Sequence, residues 1–150
     1  MVVKKGRLAP NATYEINGYK YATDEHGRIK SVEGTLRNQP NPTRSEHMRK
    51  SVGRDDGRLA NDHGGHLIGK QFGGYEGYEN LTPMHKDINN YHAGEWGKME
   101  KEWARQIDAG NTVQVKIEPI YTDGSMRASS FKVTETINGV PNKRLIDNPI

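Results

Sequence analysis

The sequence predicts an α+β domain built on an antiparallel sheet. Three observations carry that expectation. Strand-like segments lie toward both ends of the chain, with a loop and one clear helix between them. The helix has a single apolar stripe. The later strands alternate apolar and polar residues, the mark of a sheet with one buried face.

The segment TYEINGYKYATDEHGRIKSVEGTL reads as two strands. Tyr14, Ile16, Tyr19 and Tyr21 precede the turn TDEHG, and Ile29, Val32 and Leu36 follow it. Residues 37–62 are polar and contain two prolines, which marks a connector. A short helix from Thr43 to Val52, capped by Thr43 and Glu46, is expected within it. Residues 64–83 carry too many glycines for a helix. A short strand at His66–Ile68 and then a long irregular loop are expected there. Long ordered loops in small domains are usually functional.

Trp96, Met99, Trp103 and Ile107 are spaced three, four and four residues apart, one helical stripe that belongs to the core. Gly110 stands where that helix should stop. Val113, Val115 and Ile117 alternate with Gln114, Lys116 and Glu118, a half-buried strand. Phe131, Val133 and Glu135 repeat the pattern, with TDGS as the hairpin turn between the two. Residues 1–7 and 141–150 read as loosely held ends of a single domain spanning residues 1–150.

The composition excludes several classes. The chain has 150 residues, 32% of them hydrophobic, which suits one domain with a small core. No apolar run approaches the roughly 20 residues of a membrane span. Cysteine is absent, so a disulfide scaffold, a Cys-ligated zinc site and a Cys nucleophile are excluded. The opening MVVKKGRLAP is not a secretory leader, so a cytosolic chain, or a piece whose export signal lies elsewhere, is expected. Net charge is +3, but residues 1–60 hold 12 basic and 7 acidic side chains, against 10 and 12 in the remainder. The excess runs through Arg37, Arg44, Arg49, Lys50, Arg54 and Arg58. Such a stretch suits phosphate contact, although on charge alone a solvated face is the commoner explanation.

Chemistry concentrates between residues 54 and 100. His63, His66, His85 and His92, four of the six histidines, lie here beside Asp62, Asn80, Asn89 and Glu100. A zinc site has little support, since no H-E-x-x-H and no Cys accompany the His63/His66 pair. A hard cation is the alternative. Asn amides, carboxylates and water suit Mg²⁺, and a neutral His is a competent general base. Together they suffice to hydrolyse a phosphodiester. Spacing alone does not assign the ligands.

At NDHGGHLIGKQFGG, ENLTPMHKDINN and GEWGKMEKEWA the sequence resembles the bacterial DNA/RNA non-specific endonucleases, which are ββα-metal (His-Me finger) nucleases. It is closest to the branch found as C-terminal toxin domains of polymorphic toxins, including LXG proteins exported by type VII secretion. The similarity covers most of residues 8–140. It implies a ββα-metal core, Mg²⁺ with Mn²⁺ as a substitute, and cleavage of DNA without sequence specificity, with RNA a further candidate substrate. It implies His66 as the general base, Asn89 as metal ligand with Asn90 as a fallback, and Glu100 holding water on the metal. Asn80 matches an Asn that supports the site, and Asp62 is expected to orient His66 or its loop. The signature here reads Asp-His-Gly-Gly-His, one residue longer than Asp-Arg-Gly-His and without its Arg, so His63 has no family counterpart. Three extra residues separate Asn89 from Glu100. Arg54 and Arg58, and less strongly Arg127, are expected to position the nucleic-acid backbone. His85 and His92 are expected at the surface, and Gly64, Gly65, Gly73 and Gly74 are expected to serve backbone geometry.

The resemblance further implies a larger exported toxin acting in the cytoplasm of a target bacterium, with an immunity protein as partner. Two alternatives stay open. One is a secreted or periplasmic nutritional nuclease, favoured by a leading signal peptide. The other is a non-catalytic nucleic-acid-binding module, recognised by chelator-insensitive binding without cleavage.

Overall fold

The computed structural model describes residues 6–43 and 45–150. Residues 1–5 and Arg44, part of the expected loose end and of the basic stretch, lie outside the described residues. The architecture is α+β, as expected. Strands β1 (Thr13–Ile16), β2 (Tyr19–Thr23), β3 (Ile29–Thr35), β6 (Val113–Ile120), β7 (Ser130–Ile137) and β8 (Val140–Asp147) form one sheet in that spatial order. Every neighbouring pair is antiparallel. Strands β4 (Asp62–His66) and β5 (Leu81–His85) form a separate two-stranded ribbon. Helices α1 (Glu46–Ser51), α2 (Lys86–Asn89) and α3 (Glu95–Asp108) complete the fold. The order β4–β5–α2–α3 supplies the ββα core.

The stripe on α3 is core. Trp96, Met99 and Trp103 are buried and Ile107 packs partly buried against them. The rings of Trp96 and Phe131 meet edge to face at 5.2 Å, and Phe72 meets Trp103 at 6.3 Å. Along β6, Val113, Val115 and Ile117 are buried while Gln114 and Lys116 are exposed, so the period-2 pattern sets which face meets α3. Gly110 ends the helix with φ +87°, a left-handed conformation that a Cβ disfavours.

Several expectations are corrected. The first segment forms three strands, not two, because Asn17 and Gly18 both have positive φ (55° and 86°) and turn the chain tightly. A second Asn-Gly pair, Asn138 and Gly139 (50° and 83°), turns β7 into β8. Residues 141–147, expected to be loose, therefore pair with β7 along its length. Asn148 beyond them is buried and donates to the Pro83 and Ala128 carbonyls. At the other end, Arg7 is held by both oxygens of Asp56 at 2.7 and 2.9 Å.

Helix α1 begins later than expected, with Ser45 as its N-cap. The link from β6 to β7 is no four-residue turn. It runs from Tyr121 to Ser129 and buries Met126 against Val52 and Leu81. Strand β5 appears where an irregular loop was expected. Its Pro83 sits opposite Gly64 in a two-stranded ribbon, where each strand keeps an unpaired edge that tolerates a missing N–H. His85 is buried at the N-cap of α2, whereas His92 is exposed as expected.

Candidate active site

The ribbon and the two helices after it bring the expected residues to one place. His66 is the last residue of β4. Its Nε2 lies 2.6 Å from Oε2 of Glu76, in the loop between β4 and β5. Glu76 has a side chain only 1% exposed. Its other oxygen accepts the Ser45 N–H at 3.1 Å and lies 3.2 Å from Arg49 Nε. Burial alone would raise the Glu76 pKa. The His66 hydrogen bond, the Ser45 N–H and the nearby positive charges outweigh it and hold the carboxyl below its ordinary range. For His66, burial pushes the pKa below the ordinary His value, and the Glu76 interaction only partly opposes that. The pair is therefore a carboxylate accepting from a neutral imidazole. Nε2 carries the hydrogen and Nδ1 is left as the basic nitrogen.

Asn89 ends α2, and Glu100 lies in the second turn of α3. Both line one cavity of about 300 Å³ with His66, Lys70, Gln71 and Tyr91. Two glycines make the room. A Cβ on Gly65 would stand 3.0 Å from Asn89 Oδ1, and one on Gly69 would stand 2.2 Å from Glu100 Oε2. Burial pushes the Glu100 carboxyl up to about 8. No hydrogen-bond donor or cation among the described residues meets it. A buried carboxylate without a partner is costly unless something positive arrives. One amide and one such carboxylate are hard oxygen donors, and the residues present fit Mg²⁺ or Mn²⁺.

The remaining predicted residues divide. Asn89 Nδ2 lies 3.2 Å from His63 Nδ1, so the residue without a family counterpart touches the expected metal ligand. Asn80 is fully buried; it accepts from the Ile68 N–H and donates to the Ile68 and Tyr75 carbonyls. It clamps the loop that carries Glu76. Asp62 is paired to Arg127 through both oxygens at 2.8 and 3.0 Å, and it also takes the Leu59 N–H. The ring partner of His66 is thus Glu76, not Asp62.

Arg127 gives its other donors to the Asn148 and Pro149 carbonyls, so it braces the fold and presents no free guanidinium. Arg58 folds onto the Arg49, Val52 and Asp62 carbonyls. It still lines a second cavity with Arg49, Lys50 and His63, which meets the first at Asn89. Arg54 is exposed, with one donor on the Lys50 carbonyl. Asn90 uses its Oδ1 on the His92 and Ala93 N–H groups and is not available as a ligand. The residue sequence reasoning missed is Glu76. It sits in a Gly- and Tyr-rich loop with no spacing that ties it to His66.

Comparison with known proteins gives the same direction. The family model for DNA/RNA non-specific endonucleases matches residues 10–139. The type VII secretion system protein EssD of Staphylococcus aureus is 38% identical over 146 residues. The match takes in 95% of this chain and 24% of that protein, so the chain spans about a quarter of its relative's length. Among solved structures, NucA from Streptococcus agalactiae with magnesium ion bound superposes with a TM-score of 0.67 at 13% identity. That match covers 95% of this chain and 75% of the other. The Sda1 nuclease with bound zinc ion gives 0.62 at 13%, over 88% and 74%. At these identities the two structures speak to the fold.

Proposed function

This chain belongs to the DNA/RNA non-specific endonuclease family, and from that premise we propose a Mg²⁺-dependent nuclease that cuts DNA and RNA without regard to sequence. One observation carries the reading. A neutral His66, its tautomer set by Glu76, shares a cavity with an amide and an unpartnered, half-buried carboxylate.

His66 Nδ1 takes the proton of the attacking water as the new phosphorus–oxygen bond forms and the one to the leaving oxygen breaks, and that oxygen departs as the strand's new hydroxyl end after taking up a proton from solvent. The Glu76 carboxylate stabilises the imidazolium that results and keeps the ring in place. Asn89 and Glu100 would hold the cation. When bound, it neutralises charge on the non-bridging and leaving oxygens of the phosphate. Asn80 keeps the Glu76 loop closed. Arg58, Arg54 and Lys70 meet flanking phosphates, which position the strand and carry no base information. Water attack does not use a 2′-hydroxyl, so both DNA and RNA are substrates.

The likeness to a type VII secretion protein supports a role as the toxin module of a larger exported protein. Its place of action is then the cytoplasm of a target bacterium, and an immunity protein protects the producer. The test uses plasmid DNA and total RNA with the wild type and His66→Ala, each in Mg²⁺ and in EDTA. Cleavage only by the wild type and only in Mg²⁺ is expected. Cleavage that survives EDTA, or none with any metal, overturns the reading.

A further inference from the structure

We infer that Tyr91 is a base-stacking subsite beside the scissile phosphate, so that the protein takes single-stranded nucleic acid in preference to duplex. The inference rests on the nuclease reading above and adds a substrate class to it. Among the Phe, Trp and Tyr side chains of the described residues Tyr91 is the one that is exposed, at 43%. All the others are buried or half-buried. The exposed ring belongs to the cavity wall that also contains His66, Asn89 and Glu100. A nucleotide whose phosphate lies in that cavity has this ring beside it.

The placement is built. Asn90 Oδ1 holds the N–H groups of His92 and Ala93, fixing the turn just beyond the tyrosine. Gly97 of α3 lets the Tyr91 backbone come close, since a Cβ there would stand 2.4 Å from the Tyr91 Cα. The backbone is thus packed, and the ring, edge to face with His92 at 5.6 Å, stays exposed at the cavity wall. Lys101 Nζ lies over one face of the ring, 4.8 Å from its centroid, so the ring already forms a cation–π pair.

An aromatic ring next to a cation is the recurring means of holding unpaired bases, because every base has a π-face. A duplex keeps those faces inside its stack and offers them only after unstacking.

The experiment uses His66→Ala, which binds without cutting, in Mg²⁺. Its affinity for a labelled 20-nucleotide DNA strand and for the same sequence as duplex is read by fluorescence anisotropy. The single strand should bind about tenfold more tightly. Adding Tyr91→Ala or Tyr91→Leu should erase that difference and leave duplex binding unchanged, whereas Tyr91→Phe should retain it. Equal binding of the two forms overturns the inference. So does a Tyr91→Leu protein that keeps the single-strand preference. Wild-type cleavage assays run in parallel separate the two readings. If nothing is cut and nothing is bound, the nuclease reading itself fails. If nucleic acid is cut but Tyr91→Leu changes no affinity, only the subsite fails.

Discussion

Helix α3 has two sides, and one meets a buried carboxylate while the other carries a half-buried one. On the sheet side, Glu135 accepts from Trp103 Nε1 at 2.9 Å, from Arg144 at 2.9 and 3.1 Å and from Asn142 at 3.2 Å. Burial would raise its pKa, but those donors overcome it and hold the group below the carboxylate range. On the ribbon side, Glu100 lies against Gly69 with no donor and is pushed up to about 8. The same helix thus carries a completed interaction and an incomplete one. Completed polar groups hold a fold together, and incomplete ones are left for a ligand. On that view, substitutions on the ribbon side should lower activity and spare stability. Substitutions on the sheet side should do the reverse.

His66→Ala gives the largest contrast. Loss of a general base lowers the rate by about 10²–10⁴-fold. Plasmid nicking in Mg²⁺ should fall by that much while the thermal midpoint in EDTA stays within a few degrees. Glu76→Gln should fall less, since the ring keeps a hydrogen-bond acceptor but loses the stabilising charge. A His66→Ala protein that melts far below the wild type would make the His66–Glu76 pair structural and break the comparison.

The two sides also differ in how legible they were. The α3 stripe and the β6 alternation state their burial through period, so the sheet side could be read directly. The two Asn-Gly pairs that make β1 and β8 are present in the sequence too. Their signal lies in two residues and is lost inside segments read by hydrophobicity. The ribbon is harder. Strand β4 reads DHGGH and β5 reads LTPMH, and neither has a periodic apolar face. His66 and Asn89 are candidates named by motif, not by period, and they line one cavity. Glu76 carries no signal in the sequence, and His63 stands in the motif without one assigned role, because both roles arise only when the chain folds Glu76 back over His66 and sets His63 beside Asn89. The pairing of Arg127 with Asp62 is equally invisible in the sequence, since the two lie 65 residues apart.

Glu135→Gln tests the completed side. It removes charge-assisted bonds to Arg144 and weakens the acceptor for Trp103. A loss on the order of 2 kcal/mol is expected, with nicking activity at room temperature unchanged. The pH dependence follows from the sign of the shift. Glu135 has a folded pKa below the ordinary glutamate value, so its contribution is fully present above the pKa of the unfolded chain. It is lost as pH falls through the folded value. Urea unfolding followed by Trp fluorescence should show the wild type losing part of its advantage over Glu135→Gln below that point. An advantage that does not shrink in acid would remove Glu135 from the stability of the fold.

Glu100→Gln tests the incomplete side, and its sign is opposite. A carboxyl raised to about 8 costs nothing while protonated in both states. The cost grows as pH rises from the unfolded value toward 8. In EDTA at pH 8 the variant should be more stable than the wild type, on the order of 2 kcal/mol, and the difference should vanish near pH 4.5. Added Mn²⁺ should raise the thermal midpoint of the wild type and leave that of the variant nearly unmoved. A variant less stable than the wild type at pH 8 would mean that Glu100 has a partner after all.

The smallest effect belongs to His63, the residue without a family counterpart. Its Nδ1 lies 3.2 Å from Asn89 Nδ2. An amide that donates through nitrogen to His63 has its oxygen free, and the Oδ1 atom is the one placed over Gly65 at the cavity. His63 therefore selects which end of the Asn89 amide a cation would meet. Partners of this kind are worth about 10- to 100-fold in metal affinity, and an exposed one belongs at the low end. His63→Ala should weaken Mn²⁺ binding about tenfold by calorimetry. His63→Gln keeps an acceptor and should recover most of that affinity. Neither change should move the thermal midpoint in EDTA, because the bond is exposed and holds no part of the core. Wild-type affinity in His63→Ala would show that Asn89 is oriented by its own helix, and the extra histidine of this chain would then be a solvated neighbour.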